Sequence, residues 1–139
     1  MVKYEKLIIN SDGGARGNPG PAGIGVIIKT DTGKVVAKIS EYLGVATNNQ
    51  AEYKAILAGI AKAKELGAEA IDFYLDSELA VKQLNREYKV KNKELAPLYV
   101  KIYNLTLGFK KVTFSHVRRE FNKEADALAN EAMDRGKGI

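Results

Sequence analysis

The chain has 139 residues, of which 45% are hydrophobic and 28% charged, a balance that describes one globular domain over residues 1–139 and excludes disordered or membranous classes. It has no cysteine, no long apolar run and no signal-peptide architecture, which excludes disulfides, thiolate zinc cages and membrane helices and fits a cytoplasmic setting. The net charge of +5 leans toward an anionic partner, although a lysine-rich surface that only keeps the chain dissolved explains it as well.

Leu7-Ile8-Ile9 is an apolar run ending in Asn10-Ser11-Asp12, which predicts a central strand with Asp12 at its tip. Residues 13–21 are rich in Gly and Pro and read as a loop. Residues 22–30, with Ile24, Val26, Ile27 and Ile28, predict a second strand. Asp31-Thr32-Gly33 then signals a hairpin, and residues 34–43 a returning third strand. The period now changes. Thr47, Asn48 and Asn49 offer caps for a helix over residues 51–66, with Ile56, Leu57, Ile60 and Ala63 at helical spacing and Gly67 closing it. Residues 71–75 predict a short buried strand, after which Asp76-Ser77 can cap a helix through Leu84. The polar, basic residues 85–94 read as a connector, and residues 94–107 as a helix with Pro97 in its first turn. Residues 110–116 predict a last strand, 117–121 a loop and 122–135 a closing helix. The order βββαβααβα predicts an α/β fold. An antiparallel meander leads into a mixed five-stranded sheet flanked by helices.

Four acidic residues fall where different elements can bring them together. Asp12 ends the first strand, Glu52 lies in the first turn of the long helix, Asp76 ends the fourth strand and Asp126 lies early in the last helix. A helical crossover makes the first and fourth strands parallel, so Asp12 and Asp76 emerge at one edge. Such a cluster repels itself and raises proton affinity unless cations bind, and hard cations with oxygen ligands suit it. Each residue also has an ordinary explanation. Asp12 before Gly-Gly can make an Asx turn, Asp76-Ser77 can be an N-cap, Glu52 can face a helix dipole and Asp126 can be a solvated acid. Taken singly, those explanations serve better than metal binding.

Taken in order, the motifs around these residues are similar to ribonuclease H, type 1. The segment Asp12-Gly13-Gly14-Ala15-Arg16-Gly17-Asn18-Pro19-Gly20-Pro21-Ala22-Gly23 resembles the family's opening strand and loop. Thr47-Asn48-Asn49-Gln50-Ala51-Glu52 resembles its second motif and Tyr74-Leu75-Asp76-Ser77 its third. Asn122-Lys123-Glu124-Ala125-Asp126-Ala127-Leu128-Ala129 resembles its fourth. The resemblance covers nearly the whole chain. It implies the ribonuclease H-like fold, with the fourth and fifth strands parallel to the first.

It also implies a function: hydrolysis of the RNA strand of RNA–DNA hybrids with two Mg²⁺ or Mn²⁺ ions, leaving 5′-phosphate and 3′-hydroxyl ends. Asp12 would bridge the ions, Asp126 would complete the water-activating side, and Glu52 with Asp76 would hold the leaving-group side. His116 is similar to the family's loop histidine, which assists proton transfer or product departure. Asn122 matches a position that orients that loop or the attacking water, although capping the last helix explains it equally well. Asn18, Asn49 and Gln50 would sense 2′-hydroxyls, with Gly13, Gly14 and Gly17 allowing close approach. Thr47 and Asn48 match a pocket for a DNA-strand phosphate. The expected partner is an RNA–DNA hybrid met by a monomer, with other RNA-containing duplexes open.

One departure from many bacterial relatives is the missing basic, tryptophan-containing handle between the third and fourth motifs. Lys82, Arg86, Lys89, Lys91 and Lys93, with Tyr88 among them, remain as a basic stretch that could track a phosphate backbone or be a solvated connector. Three rival readings share the sequence. One is a non-catalytic nucleic-acid-binding module of the same fold, another a relative acting on other phosphodiesters, and the third a purely structural domain. The intact carboxylate set argues against the first. The Asn18, Asn49 and Gln50 set discriminates the second, and neither the Asn18 loop nor the basic charge serves the third.

Overall fold

The computed structural model describes residues 3–137. Its elements are β1 (Tyr4–Ala15), β2 (Gly20–Thr30), β3 (Val35–Ala46), α1 (Asn48–Glu65), β4 (Ala68–Leu75), α2 (Glu78–Leu84), α3 (Ala96–Thr106), β5 (Lys111–His116) and α4 (Lys123–Lys137), with a 3-10 turn at Arg119–Phe121 before α4. Among these residues the strands form one five-stranded sheet in the order β3-β2-β1-β4-β5. β1–β2 and β2–β3 pair antiparallel, while β1–β4 and β4–β5 pair parallel, as expected.

The sheet is two-sided, and the side-chain period of two decides which residue meets which helix. Ile9, Val26 and Phe73 crowd around Gly59 of α1 on one face. On the other face Gly25, one residue before Val26, lies against Ala125 and Ala129 of α4. The core on the α1 side includes Leu7, Ile9, Val26, Tyr53, Ile56, Ile60, Ile71, Phe73 and Ile102, all buried. Within it the Tyr53 hydroxyl donates to the Gln83 side-chain carbonyl, tying α1 to α2 with both polar groups satisfied.

Several boundaries differ from the sequence expectation, and each has a cause. β1 does not stop at Asp12. Gly13, Gly14 and Ala15 continue the ladder opposite Ile24, Gly23 and Ala22, so Asp12 lies inside a strand and not at its tip. β3 likewise runs on to Ala46, carried past Gly44 by an irregularity in its pairing with β2. α1 begins at Asn48. Thr47 is its N-cap, and the Thr47 hydroxyl and Gln50 side chain close a reciprocal capping box. Glu52 therefore sits beyond the first turn and faces inward, which removes the helix-dipole explanation for it. α2 has the expected Ser77 cap, accepting from the Ala80 N–H at 3.2 Å. The 85–94 connector is free of regular structure.

Candidate metal centre

Asp12 pairs with Gly25 across the β1–β2 ladder, and paired residues project to the same face of the sheet. That face is the one α4 covers. A Cβ on Gly25 would collide with the Ala125 carbonyl, so only glycine lets α4 lie this close to β2. The close approach places Asp126, the residue after Ala125, beside Asp12. Gly13 plays the matching part on the opposite face, where a side chain would strike the backbone of Ala51 and Glu52 at the start of α1. Ser11 pairs with Leu75, so Asp76, next after the end of β4, comes level with Asp12.

The outcome is a cluster. Asp12, Glu52 and Asp76 each offer a carboxylate oxygen, and these oxygens lie within 4.8 Å of one another. Glu52 is only 8% exposed, and its Oε1 is buried with no hydrogen-bond partner. Burial, a hydrogen bond with Asp126 and the charges of Asp76 and Asp126 push the Asp12 carboxyl up to about 8. Burial, then the charges of Asp12 and Asp76, hold Glu52 well above the usual carboxylate range. The Gly13 N–H and the Arg119 guanidinium oppose the shift at Glu52, and Arg119 also opposes it at Asp12. A buried carboxylate oxygen without a donor is costly unless something positive reaches it. An all-oxygen set with no sulfur donor fits a hard divalent cation.

The remaining expected residues fall into two groups. The Asn18 side-chain carbonyl accepts from the Asn48 N–H at 3.0 Å, and the Asn48 side-chain carbonyl accepts from the Ala15 N–H at 2.8 Å. These bonds lock the 16–19 loop against the start of α1, close to the carboxylates. Gln50 uses its carbonyl in the cap and donates to Glu94 at 3.2 Å. Asn49 is exposed, and Gly14 and Thr47 are half-buried nearby. His116 ends β5 opposite Leu75, exposed, on the same sheet edge as Asp76. Asn122 is 1% exposed, and its side chain reaches into the sheet. It donates to the Ser11 carbonyl at 2.9 Å and to Asp76 Oδ2 at 3.1 Å, and it accepts from Asn10 at 3.0 Å.

Two residues of the site carry no signal in the sequence. Arg119 is one cation among several in a polar loop, and its effect on Asp12 and Glu52 needs the folded arrangement. Asn10 reads as the polar end of a strand, with nothing to connect it to a residue so distant in the chain.

A sequence-family model described as reverse transcriptase-like matches residues 10–132. A bifunctional protein of Mycobacterium tuberculosis is 44% identical over 130 residues, covering 93% of this chain and 36% of its own length. Ribonuclease HI of Halobacterium salinarum is 42% identical over 123 residues, covering 88% of this chain and 62% of its own. This chain thus spans about a third of the first relative and under two thirds of the second. Among solved structures, LC11-RNase H1, isolated from compost by a metagenomic approach and crystallised with an RNA/DNA hybrid, superposes with a TM-score of 0.90. It is 40% identical, covering 94% of this chain and 98% of that one. The fold is that of ribonuclease H-like proteins, and the chain belongs to the ribonuclease H family, type 1.

Proposed function

We propose that this chain is an endoribonuclease that hydrolyses the RNA strand of RNA–DNA hybrids and leaves 5′-phosphate and 3′-hydroxyl ends. The observation that carries this reading is the meeting of Asp12, Glu52 and Asp76 within 4.8 Å around an unpartnered buried oxygen, in a chain of this family. It is supported by the relative crystallised with an RNA/DNA hybrid. Residues 1–139 act as one domain, monomeric and cytoplasmic in this reading.

Two Mg²⁺ or Mn²⁺ ions would be held there by Asp12, Glu52, Asp76 and Asp126, with Asp126 serving water activation and Glu52 with Asp76 serving the leaving group. When bound, such ions acidify an attacking water and neutralise the charge on the departing 3′-oxygen. The chain's own groups do the rest. Gly14 lets a backbone approach beside Gly13, whose own open side is taken up by α1, and Asn18, Asn49 and Gln50 present polar groups to the minor groove, where 2′-hydroxyls mark the RNA strand. Thr47 and Asn48, at the N-terminus of α1, take a phosphate of the DNA strand. His116, exposed beside Asp76, carries a proton to the departing oxygen or helps product leave. Asn122 acts from behind the carboxylates.

A comparison of end-labelled hybrid, duplex RNA and DNA carrying a single ribonucleotide, each with Mg²⁺ or Mn²⁺, tests the substrate assignment. The hybrid is cut fastest. A faster rate on duplex RNA would reassign the substrate while leaving the chemistry in place.

A further inference from the structure

We infer that Asn122 is a positioning residue for the metal centre, a brace that sets the Asp76 carboxylate and the Ser11-Asp12 stretch of β1 relative to α4, with Asn10 fixing the brace's own orientation. The inference rests on the proposed metal-dependent function and deepens it.

The bonding pattern leaves the amide one orientation. Its nitrogen faces the Ser11 carbonyl at 2.9 Å and Asp76 Oδ2 at 3.1 Å, two groups that accept and cannot donate. A flipped amide would set oxygen against a carbonyl and a carboxylate. Its oxygen meets the Asn10 amide donor at 3.0 Å, which favours the same choice. With 1% exposure and three partners, the side chain has no donor left over to orient a solvent molecule. What it touches is more telling. Ser11 precedes Asp12, Asp76 is itself in the cluster, and the Asn122 carbonyl accepts the Asp126 N–H at 3.0 Å. One residue thus links three of the four acidic positions, which lie on β1, just after β4 and on α4. An amide suits this place because it adds no charge to an acidic cluster, and it supplies two donors from one planar group.

A hydrogen-bonding partner behind a metal-binding carboxylate fixes its rotation, and losing such a partner typically costs about 10- to 100-fold in metal affinity. The test is calorimetric titration of Mn²⁺ into the wild type, Asn122→Leu, Asn122→Ala, Asp76→Asn and the Asn122→Leu/Asp76→Asn double variant, alongside melting temperatures in chelator. Leucine keeps the branched outline of asparagine without its polar atoms but is bulkier, and Asn122→Ala removes the same atoms without added bulk. Asn122→Leu should weaken Mn²⁺ binding about 10- to 100-fold. In the Asp76→Asn background the same change should cost much less, because the brace acts through Asp76.

Should the Asn122 variants fail to fold, Asn10→Ala carries the test. It removes a single bond at a half-exposed site and should weaken Mn²⁺ binding roughly two- to tenfold. A brace that serves folding alone predicts something else, a lower melting temperature in chelator with unchanged Mn²⁺ affinity. That result, or losses that simply add in the double variant, would overturn the inference. Wild-type protein that takes up no Mn²⁺ would instead overturn the functional reading beneath it.

Discussion

Asp12 is destabilised by folding without a cation. Its carboxyl is pushed up to about 8 by burial and by Asp126 and Asp76, from a value near 4 in an unfolded chain. A raised acid is destabilising when ionised. The penalty is absent below the unfolded value, grows as pH rises, and is complete above the folded one. In chelator, therefore, the wild type should lose stability relative to Asp12→Asn as pH climbs from about 4 to about 8. At pH 8 the variant should melt higher, and at pH 4 the two should converge. Divalent metal should reverse the order at pH 8, because the cation binds the ionised carboxylates of the folded state alone. Thermal melts of both proteins with and without metal check this. A wild type more stable than Asp12→Asn in chelator at pH 8 would show that the cluster is not strained.

The elements explain how much of the site is legible in the sequence. Strand and helix identities are legible because periodicity changes sharply after β3, and the Thr47 cap is legible because capping chemistry is local. Asp12, Glu52, Asp76 and Asp126 are legible as a set through motif order. Their separate placements are not. Asp12 continues a ladder with β2 that only pairing reveals, and Glu52 turns inward because Gly13 lets β1 press against α1. The hydrogen bond between Asn10 and Asn122 joins residues far apart in the chain, so nothing local announces it.

Gly25 belongs to the same class, since its part in seating α4 depends on which face β2 turns outward. Replacing Gly25 by Ala drives a methyl into the Ala125 carbonyl and must lift α4 from the sheet. Stability should fall by about 1–3 kcal/mol, the usual cost of overpacking. Cleavage should also fall in conditions where the variant is folded, because Asp126 leaves Asp12. Urea unfolding and single-turnover rates separate the two effects. A folded variant cutting at the wild-type rate would remove Asp126 from the proposed centre.

At the scale of the molecule, charge is unevenly used. The net charge is +5, yet the centre itself is acidic. Lys89, Lys91 and Lys93 are exposed in the connector between α2 and α3, and Arg86 and Lys82 stack on Tyr103 and Tyr88 at 4.8 and 5.0 Å. If this stretch tracks a phosphate backbone, replacing Lys89, Lys91 and Lys93 by Gln should weaken hybrid binding most at low salt. It should flatten the salt dependence by about 0.7–0.9 in log–log slope for each phosphate that is no longer neutralised. Fluorescence anisotropy across a salt series reads this directly, and an unchanged slope would make these lysines a solvated surface. Among the described residues no helix is long and apolar enough to cross a membrane.

The proposed activity of the carboxylate cluster is cutting RNA paired to DNA. It is tested most directly by a hybrid carrying distinct labels on its two strands, incubated with Mg²⁺ or Mn²⁺ and either the wild type or Asp12→Asn. The RNA strand alone should be cut, by the wild type alone, and only with metal present. An intact RNA strand after prolonged incubation with either ion, or equal cutting by Asp12→Asn, would contradict it.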